Sequence, residues 1–279
     1  MNSLTPVLSQ VRSRLEGRSE TPGLDAQVLL AHLLGRPRSW VLAHPEAELT
    51  TEQAGDLESA LARLEQGEPL PYIIGRWEFF GLDFWVTPAT LIPRPETELL
   101  VERALDWLRL HPERRLTVDV GTGTGCIAIA LAVHTPDLRL LACDLSLAAL
   151  RVAQSNIQRH GVGERVQCVQ ADLLSGISRR VDLICANLPY IPTETLQNLP
   201  VRRWEPSLAL NGGPDGLELI RRLLKTASDA LAPGGLILLE IEETQGEAAM
   251  QLARSEFIHS GVELFHDLAN RQRLIRIQT

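Results

Sequence analysis

The sequence predicts an α/β fold with a Rossmann-like, mostly parallel sheet that has an antiparallel edge, preceded by a small N-terminal helical bundle. From Leu116 onward, short apolar runs alternate with amphipathic stretches, as expected for the strands and helices of a parallel sheet. The last two strand-like runs, at 262–266 and 273–277, have no helix between them and therefore predict the antiparallel edge. The 279 residues are enough for one large and one small domain.

Changes in residue pattern divide the chain into three expected regions, which are a helical domain at 1–70, a β-hairpin linker at 71–90 and the α/β domain at 91–279. Apolar residues recur at helical spacing in the first region, for example at Val7, Val11 and Leu15. The second region begins with Tyr72–Gly75, which looks strand-like, and continues with aromatic residues on both sides of a turn at Gly81. These patterns predict helices first and a hairpin next.

The composition excludes several classes of protein. A formal charge of -8 and a pI near 5.4 argue against a general affinity for nucleic acid, which needs a basic surface. The four cysteines are far apart and lack the paired spacing of a zinc or redox site, so we expect no bound metal and a reducing compartment. The N-terminal residues show no secretory pattern, and no run approaches the ~20 apolar residues of a membrane span. We therefore expect a cytoplasmic protein without membrane contact.

A glycine-rich turn follows the first strand of the α/β region. It begins at Asp119 and continues through Gly121, Thr122, Gly123, Thr124 and Gly125. Such a turn lets the backbone approach a ligand and directs the N-terminus of the next helix toward it. A dinucleotide site would place its third small residue one position later, where this chain has Cys126, so the spacing disfavours NAD.

Acidic residues follow the next two predicted strands. Asp144 ends the second strand, where a carboxylate can accept both ribose hydroxyls of an adenosine. Asp172 follows the third strand and could accept from the adenine amino group, while Leu173 could cover the ring. Because no phosphate-binding lysine accompanies the turn, the ligand should be an adenosine without phosphates. With Asp119 facing a cationic amino acid portion, the sequence predicts S-adenosylmethionine, although each carboxylate singly could be a helix cap.

The apolar run 181–186 ends in the tetrapeptide Asn187–Tyr190, of sequence Asn-Leu-Pro-Tyr. The Asn187 side-chain oxygen and the Leu188 carbonyl are two acceptors that suit the two N–H donors of a planar NH₂ group. Pro189 favours an extended Leu188, which aims that carbonyl, and the Tyr190 ring could pack on the flat face of the bound group. The alternative is an ordinary Asn-Pro turn with a packed tyrosine.

Two prolines make the segment 91–98 rigid before a predicted helix at about 97–110. Arg94 and Glu96 lie on this segment. By their spacing alone, we expect a surface ion pair between Arg94 and Glu96.

Taken together, several segments resemble the family of release-factor glutamine methyltransferases over nearly the whole chain. The matching segments are 71–75, 78–79, 91–98, 119–125, 187–190, 205–206 and 209–217. The resemblance implies a class I S-adenosylmethionine-dependent methyltransferase domain, a hairpin linker and a helical N-terminal domain that helps to hold a protein substrate. The substrate implied is the glutamine of the Gly-Gly-Gln tripeptide in peptide chain release factors, methylated at its side-chain amide nitrogen, N5.

The resemblance also implies roles for individual residues. Gly121–Gly125, Asp144 and Leu173 match cofactor-contacting positions, and Asn187 matches a position that touches both methyl donor and substrate. The tetrapeptide Asn187–Tyr190 matches the catalytic and substrate-binding motif, and we include Arg94 and Glu96 among the candidate substrate-binding residues. The family usually has Asn-Pro-Pro-Tyr, whereas Leu188 replaces the first proline here. This variant also resembles the motif of ribosomal RNA adenine dimethylases.

A glutamine amide nitrogen is a weak nucleophile because its lone pair is delocalised into the carbonyl. The hypothesis is that the Asn187 side chain and the Leu188 carbonyl accept both N–H groups and orient the lone pair toward the methyl group. Alternatives are a ribosomal-protein glutamine as the substrate, adenine N6 of RNA or DNA, and a catalytically idle binding module. We expect a monomer that binds release factors and forms no stable nucleic-acid complex. The sequence leaves open which release factor is modified.

Overall fold

The computed structural model describes residues 3–279. The chain up to Arg76 forms one unit, which is helical, and Trp77–Thr279 form a second unit around a seven-stranded sheet. The sheet is parallel except at one edge, which confirms the predicted α/β fold class. Among the described residues, no helix combines the length and the apolar composition needed to cross a membrane.

The first unit contains five helices, α1 (Leu4–Leu15), α2 (Pro22–Leu34), α3 (Arg38–Ala43), α4 (Thr51–Glu65) and α5 (Leu70–Ile74). Their buried faces are apolar, with Val11, Leu29 and Leu61 almost fully excluded from solvent. A capping box starts α4, in which the Thr50 hydroxyl accepts from the Gln53 N–H and the Gln53 side-chain oxygen accepts from the Thr50 N–H.

Helix α5 includes most of the segment Tyr72–Gly75, so the prediction that this segment is extended is wrong. Pro71 lies in the first turn of the helix, where its missing N–H removes no hydrogen bond. Gly75 ends the helix in the left-handed region, with φ 71°. A short apolar run does not distinguish a strand from a buried helical turn, and here the flanking proline and glycine decide.

The predicted hairpin is formed by two strands, β1 (Arg76–Phe79) and β2 (Leu82–Trp85). Phe80 and Gly81 connect them with φ 53° and 72°, and a type I′ hairpin turn requires positive φ at both central positions. Phe79 and Phe84 are buried and meet edge to face, with ring centroids 6.2 Å apart. This aromatic pair joins the hairpin to the core of the second unit.

The large sheet contains β3 (Leu116–Val120), β4 (Arg139–Asp144), β5 (Val166–Gln170), β6 (Val181–Ala186), β7 (Leu231–Glu240), β8 (Gly261–His266) and β9 (Gln272–Gln278). The strand order is β5-β4-β3-β6-β7-β9-β8. Neighbours from β5 to β7 are parallel, and β9 is antiparallel to β7 and to β8. The strand order reverses between β3 and β6, and ligands bind at the carboxyl ends of strands that flank such a reversal.

The helices of the second unit are α6 (Glu98–Leu110), α7 (Cys126–His134), α8 (Leu147–Arg159), α9 (Thr193–Gln197), α10 (Glu218–Ala230) and α11 (Gly246–Glu256). Two buried clusters lie on opposite faces of the sheet because successive strand residues point to opposite sides. On β6, Leu183 and Cys185 belong to the cluster that includes α6 and α7, whereas Ile184 and Ala186 belong to the cluster that includes α10 and α11. Both faces of the sheet are therefore covered.

A single buried amide connects the hairpin to the glycine turn. Asn156 on α8 accepts from the Trp85 N–H at 2.8 Å, and its amide nitrogen donates to the carbonyls of Trp85 at 3.0 Å and Thr124 at 2.9 Å. Asn156 is fully buried, so its polar atoms have exchanged water for these three partners. The hydrogen bonds hold the turn that follows β3 against β2 of the hairpin.

We expect Asn156→Ala to lower the free energy of unfolding by about 2–4 kcal/mol, because it leaves the Trp85 N–H and two carbonyls without partners and creates a cavity. Denaturant unfolding followed by circular dichroism measures this change. Gln154→Ala is the matched control, since Gln154 is exposed on the same helix, and it should change stability by less than about 0.5 kcal/mol. Equal stabilities of the two variants would contradict this prediction.

Candidate active site

A cavity of about 180 Å³ lies at the carboxyl ends of the central parallel strands. Its wall includes backbone from the glycine turn, a carboxylate, an amide and several apolar side chains, among them Gly121, Gly123, Asp144, Leu145, Ala149, Asp172, Leu173, Asn187, Leu188 and Pro189. Residues 89–91 and 206–209 complete part of the wall. The cavity therefore lies where the reversal of strand order predicts a ligand site.

The glycine turn connects β3 to α7 and is held from below by β4. The N–H groups of Gly121 and Thr122 both donate to the Cys143 carbonyl, at 2.8 and 2.9 Å. Gly121 has φ 73°, and a Cβ at this position would lie 3.2 Å from Leu188 Cδ2. Because an L side chain is strained at this φ, glycine is favoured here, and the turn brings bare backbone to the cavity.

Asp144 lies at the end of β4 and lines the cavity, as the sequence predicts. One carboxylate oxygen accepts from the Gly123 N–H at 2.9 Å, and the other accepts from the Ser146 N–H at 2.8 Å. Burial raises the pKa of Asp144, and the hydrogen bonds from Ser146 and Gly123 oppose that rise. Each oxygen keeps a further lone pair, so the carboxylate can accept from a ligand while it orders the turn.

Asp119 lies beneath the glycine turn and is not part of the cavity wall, which differs from its expected position facing the ligand. It is fully buried, and it accepts from the Thr122 hydroxyl at 2.6 Å and from the Ala128 N–H at 3.3 Å. Burial raises its pKa to about 7, although these two hydrogen bonds act in the opposite direction. Thr122, Thr124 and Gly125 are also buried outside the wall. Asp119 therefore supports the turn from behind.

Asp172 and Leu173 both line the cavity after β5. Asp172 is exposed and accepts from Arg222 Nη2 at 2.7 Å, so an arginine of α10 lies at the same part of the wall. Leu173 adopts a positive φ of 55°, which is uncommon for a leucine and turns its backbone sharply at this point. The sequence did not single out Arg222, because an isolated arginine on an amphipathic helix looks like part of a solvated face.

Asn187 lines the cavity, and its amide nitrogen donates to the Thr97 hydroxyl oxygen at 2.9 Å. Because Nδ2 is engaged in this way, the other end of the amide, Oδ1, is the acceptor left for a ligand. Leu188 and Pro189 also line the cavity, and Leu188 is buried. The Asn187 amide is thus held by a residue that lies 90 positions earlier in the chain.

Tyr190, the last residue of the tetrapeptide, does not line the cavity. Burial and the nearby Glu240 carboxyl raise the pKa of its phenol. Its carbonyl accepts from the Gln245 side-chain nitrogen at 2.9 Å. Of the tetrapeptide, Asn187, Leu188 and Pro189 therefore form the cavity wall, and Tyr190 lies outside it.

The partner of Arg94 is Glu205, so the prediction of an ion pair between Arg94 and Glu96 is wrong. Glu205 is buried and also accepts from the Ile92 N–H at 3.1 Å. Glu96 is exposed, and neither Arg94 nor Glu96 lines the cavity. The sequence spacing favoured Glu96 as the partner of Arg94. Glu205 is buried, however, and a buried carboxylate needs a positive charge beside it, which Arg94 supplies.

The segment 205–217 supports the tetrapeptide through its backbone. The Ile191 N–H donates to the Leu210 carbonyl at 3.1 Å, and the Gly212 N–H donates to the Ile191 carbonyl at 2.8 Å. A Cβ at Gly216 would overlap the Tyr190 carbonyl oxygen, so only glycine allows this approach. Gly212 and Gly216 are therefore explained by their close approach to the tetrapeptide, and Gly213 by its close approach to Glu218.

Sequence reasoning missed Glu205, Thr97 and Glu240 as parts of the site. Glu240 had a usable signal, because an acidic residue at the end of a predicted parallel strand reaches the ligand edge of the sheet. Thr97 had none, since it looks like an ordinary residue at a helix start. Among residues 3–279, no group of His, Cys, Asp and Glu could hold a metal ion.

The sheet topology, the glycine turn and the carboxylate at the end of β4 define the chain as a class I S-adenosylmethionine-dependent methyltransferase. A sequence profile described as "Methyltransferase small domain" matches residues 96–199, and one described as "PrmC N-terminal domain" matches residues 7–75. The chain belongs to the release factor glutamine methyltransferase family.

Family membership is shown by two relatives, each named "Release factor glutamine methyltransferase". The Moorella thermoacetica protein is 45% identical over 94% of this chain and 93% of its own length. The Escherichia coli protein is 40% identical over 96% of this chain and 95% of its own length. A solved structure, the 16S rRNA N2 G1207 methyltransferase of T. thermophilus, has a TM-score of 0.52 at 17% identity and covers 73% of this chain and 49% of its own. That likeness concerns the fold.

We expect Asp119→Asn to flatten the pH dependence of stability. The folded pKa of Asp119, about 7, exceeds its ordinary value of 3.8, so folding favours the protonated form and stability falls as pH rises from about 4 to 7. From pH 5 to pH 8, the free energy of unfolding of the variant should rise by on the order of 2 kcal/mol relative to that of the wild type. This change is equivalent to several degrees in Tm. Thermal unfolding at both pH values measures this difference.

Asp137→Asn is the control for this experiment, because Arg115 lowers the pKa of Asp137 and its carboxylate stays ionised from pH 5 to pH 8. This variant should keep the pH dependence of the wild type. Parallel pH profiles for the wild type and Asp119→Asn would show that burial does not perturb Asp119 as argued.

Proposed function

We propose that this protein transfers a methyl group from S-adenosylmethionine to N5 of the glutamine in the Gly-Gly-Gln tripeptide of peptide chain release factors. The observation that carries the proposal is the orientation of the Asn187 amide, whose nitrogen is taken by Thr97 and whose oxygen is left as an acceptor at the cavity. The names of the two relatives, at 45% and 40% identity, supply the substrate.

The cavity suits an adenosine with an amino acid attached. Asp144 would accept from the ribose hydroxyls, Asp172 would accept from the adenine amino group, and Leu173 with Leu145 would cover the ring. Gly121 and Gly123 would bring backbone to the amino acid portion, with Asp119, Thr122, Thr124 and Gly125 holding the turn in shape. The cofactor supplies an electrophilic methyl group on a sulfonium.

The substrate amide would be held by two acceptors. Oδ1 of Asn187 and the Leu188 carbonyl would each accept one N–H of the glutamine side chain, with Pro189 and Tyr190 completing the wall of the tetrapeptide. This arrangement aims the nitrogen lone pair along the line to the methyl group, and orientation of this kind can supply roughly 7–11 kcal/mol in favourable cases. The methylated nitrogen is strongly acidic, so its proton can pass to water without a dedicated base.

Leu188 replaces a proline that is usual in the family, and the buried side chain packs against Gly121. Because the acceptor at this position is the backbone carbonyl, a leucine can serve the same purpose. Arg94 and Glu96 would contact the protein substrate from the segment that precedes α6, where Glu205 fixes Arg94.

The larger arrangement supports a protein substrate. In this proposal, the region 1–70 recognises the release factor, the region 71–90 links it to the rest of the chain, and the region 91–279 carries out methyl transfer. The net charge of -8 favours a protein partner over a stable complex with nucleic acid. We propose that the enzyme acts as a monomer in the cytoplasm, where release factors are found.

The first test is transfer of labelled methyl to a purified release factor, beside the same factor with its Gly-Gly-Gln glutamine replaced and beside bare ribosomal RNA. Label on the intact factor alone is the expected result. Label on the RNA instead would favour the adenine reaction to which the Asn-Leu-Pro-Tyr variant is also similar, and would refute the proposal. Label on both proteins would place the modified residue elsewhere.

Asn187→Ala tests the role of the amide. We expect kcat to fall by about 10²-fold, roughly 3 kcal/mol, because one acceptor for the reacting amide is lost. Cofactor affinity, measured by isothermal calorimetry, should change by less than about tenfold, since Asp144 and the turn remain. The control is Asn198→Ala, because Asn198 is an exposed residue at the C-terminal end of α9. This variant should keep wild-type turnover. Near-normal turnover of Asn187→Ala would rule out the mechanism.

A further inference from the structure

A buried carboxyl lies behind the site and is not used by the proposed reaction. Glu240 is 2% exposed, and neither of its carboxyl oxygens has a hydrogen-bond partner among the described residues. A buried carboxyl without partners is costly, because it has lost its hydration and gained nothing in return. Such a group at the carboxyl end of β7 needs an explanation.

The register of the sheet brings Glu240 beside Asn187. Strands β6 and β7 are parallel, with Ala186 opposite Leu239, so the next residues along each strand are Asn187 and Glu240. The two side chains therefore emerge at the same edge from neighbouring strands. Thr97, at the start of α6, is 2% exposed and completes the group. Burial raises the pKa of Glu240, and the neighbouring Thr97 and Asn187 side chains oppose that rise because they favour the ionised carboxyl.

The Thr97 hydroxyl can donate a hydrogen bond as well as accept one. Its hydroxyl oxygen accepts from Asn187 Nδ2 at 2.9 Å, which leaves its O–H as a donor, and the Glu240 carboxyl is the acceptor nearby. A hydrogen bond from the Thr97 hydroxyl to Glu240 would complete a chain from amide to hydroxyl to carboxylate. Arg273, which is mostly buried and pairs with Asp267 at 3.2 Å, provides a positive charge that favours the ionised carboxyl.

This series of hydrogen bonds determines the orientation of the Asn187 side chain, because an amide has a donor end and an acceptor end. If the Asn187 side chain rotated by 180°, its NH₂ group would face the N–H groups of the substrate, and donor would meet donor. A hydroxyl alone does not choose between the two ends, because it can donate as well as accept. A hydroxyl whose proton is committed to a carboxylate can only accept, and it therefore selects Nδ2.

We propose that Glu240 and Thr97 are positioning residues of the methyl transfer: the Glu240 carboxylate holds the Thr97 proton, the Thr97 oxygen holds Asn187 Nδ2, and Oδ1 is thereby directed at the reacting amide. This inference rests on the proposed function for its substrate, but the orientation of Asn187 is a property of the protein alone. Both parts are open to separate measurement.

The kinetic test compares four variants. Thr97→Val removes the hydroxyl at nearly constant volume, Thr97→Ser keeps it, Glu240→Gln removes the charge, and Thr117→Val is the matched control. Thr117 is a fully buried threonine on β3 whose hydroxyl has no partner and lies outside the site. All four are checked for folding by circular dichroism before kinetics.

We expect Thr97→Val to lower kcat by about 10- to 100-fold, because a misdirected acceptor spoils the alignment, while KM for the release factor changes by less than about threefold. Thr97→Ser should recover most of kcat, Glu240→Gln should lower kcat by about tenfold, and Thr117→Val should match the wild type. Equal losses for Thr97→Val and Thr97→Ser would mean that packing alone matters, and would overturn the proposal. If Thr97→Val does not fold, full turnover of Glu240→Gln overturns it.

A substrate-free readout separates this proposal from the proposed function. In ¹⁵N-labelled protein, the signal of the Asn187 side-chain NH₂ group is assigned by its loss in Asn187→Ala. The hydrogens of this group should exchange with solvent at least about tenfold faster in Thr97→Val and in Glu240→Gln than in the wild type or Thr117→Val. Unchanged exchange in both variants would refute the positioning chain even if the release factor is methylated. Faster exchange in the two variants, with no methylation of the release factor by the wild type, would refute the proposed substrate. It would still support the positioning of Asn187 by Thr97 and Glu240.

Discussion

The hydrogen bond from the Asn187 amide to the Thr97 hydroxyl is the interaction on which the rest of the site depends. It joins the end of a central strand to the start of α6, and it leaves Oδ1 as the end of the amide that is available at the cavity. A tetrapeptide of suitable composition is not sufficient for capture of an NH₂ group, because an amide can present either a donor or an acceptor. The fold must therefore orient Asn187 before any substrate arrives, and preorganisation of this kind is how enzymes gain most from a polar contact.

Two carboxyl groups near the site are buried, and burial of an ionisable group is unfavourable in free energy. Asp119 beneath the glycine turn and Glu240 beside Asn187 both have a pKa raised to about 7 by burial. Asp119 accepts from the Thr122 hydroxyl, and Glu240 lies beside Asn187 in the register of the sheet. Groups of this kind lower the stability of the fold as the pH rises from about 4 to 7, and they are retained where they order a functional site.

The segments that surround the cavity come from distant parts of the chain and support one another. Glu205 holds both Arg94 and the Ile92 N–H, so it joins the rigid segment before α6 to the loop after α9. The same loop brings Gly212 and Gly216 against the backbone of Pro189 and Tyr190. Since these segments contain only short 3₁₀ turns and irregular backbone, these contacts help to fix their conformation.

Local pattern determined much of this protein: the alternation of strands and helices, the antiparallel edge, the glycine turn, the carboxylates at strand ends and the tetrapeptide are all readable because each depends on neighbours within a few residues. Local pattern failed at Tyr72–Gly75, where proline and glycine turned an apolar run into a helix. Only the tertiary structure decided that Asp144 faces the cavity while Asp119 lies beneath it, that Glu205 takes Arg94, and that Thr97 and Glu240 lie beside Asn187. The physical reason is that these contacts follow from strand register and packing between residues up to 111 positions apart, which no local spacing encodes.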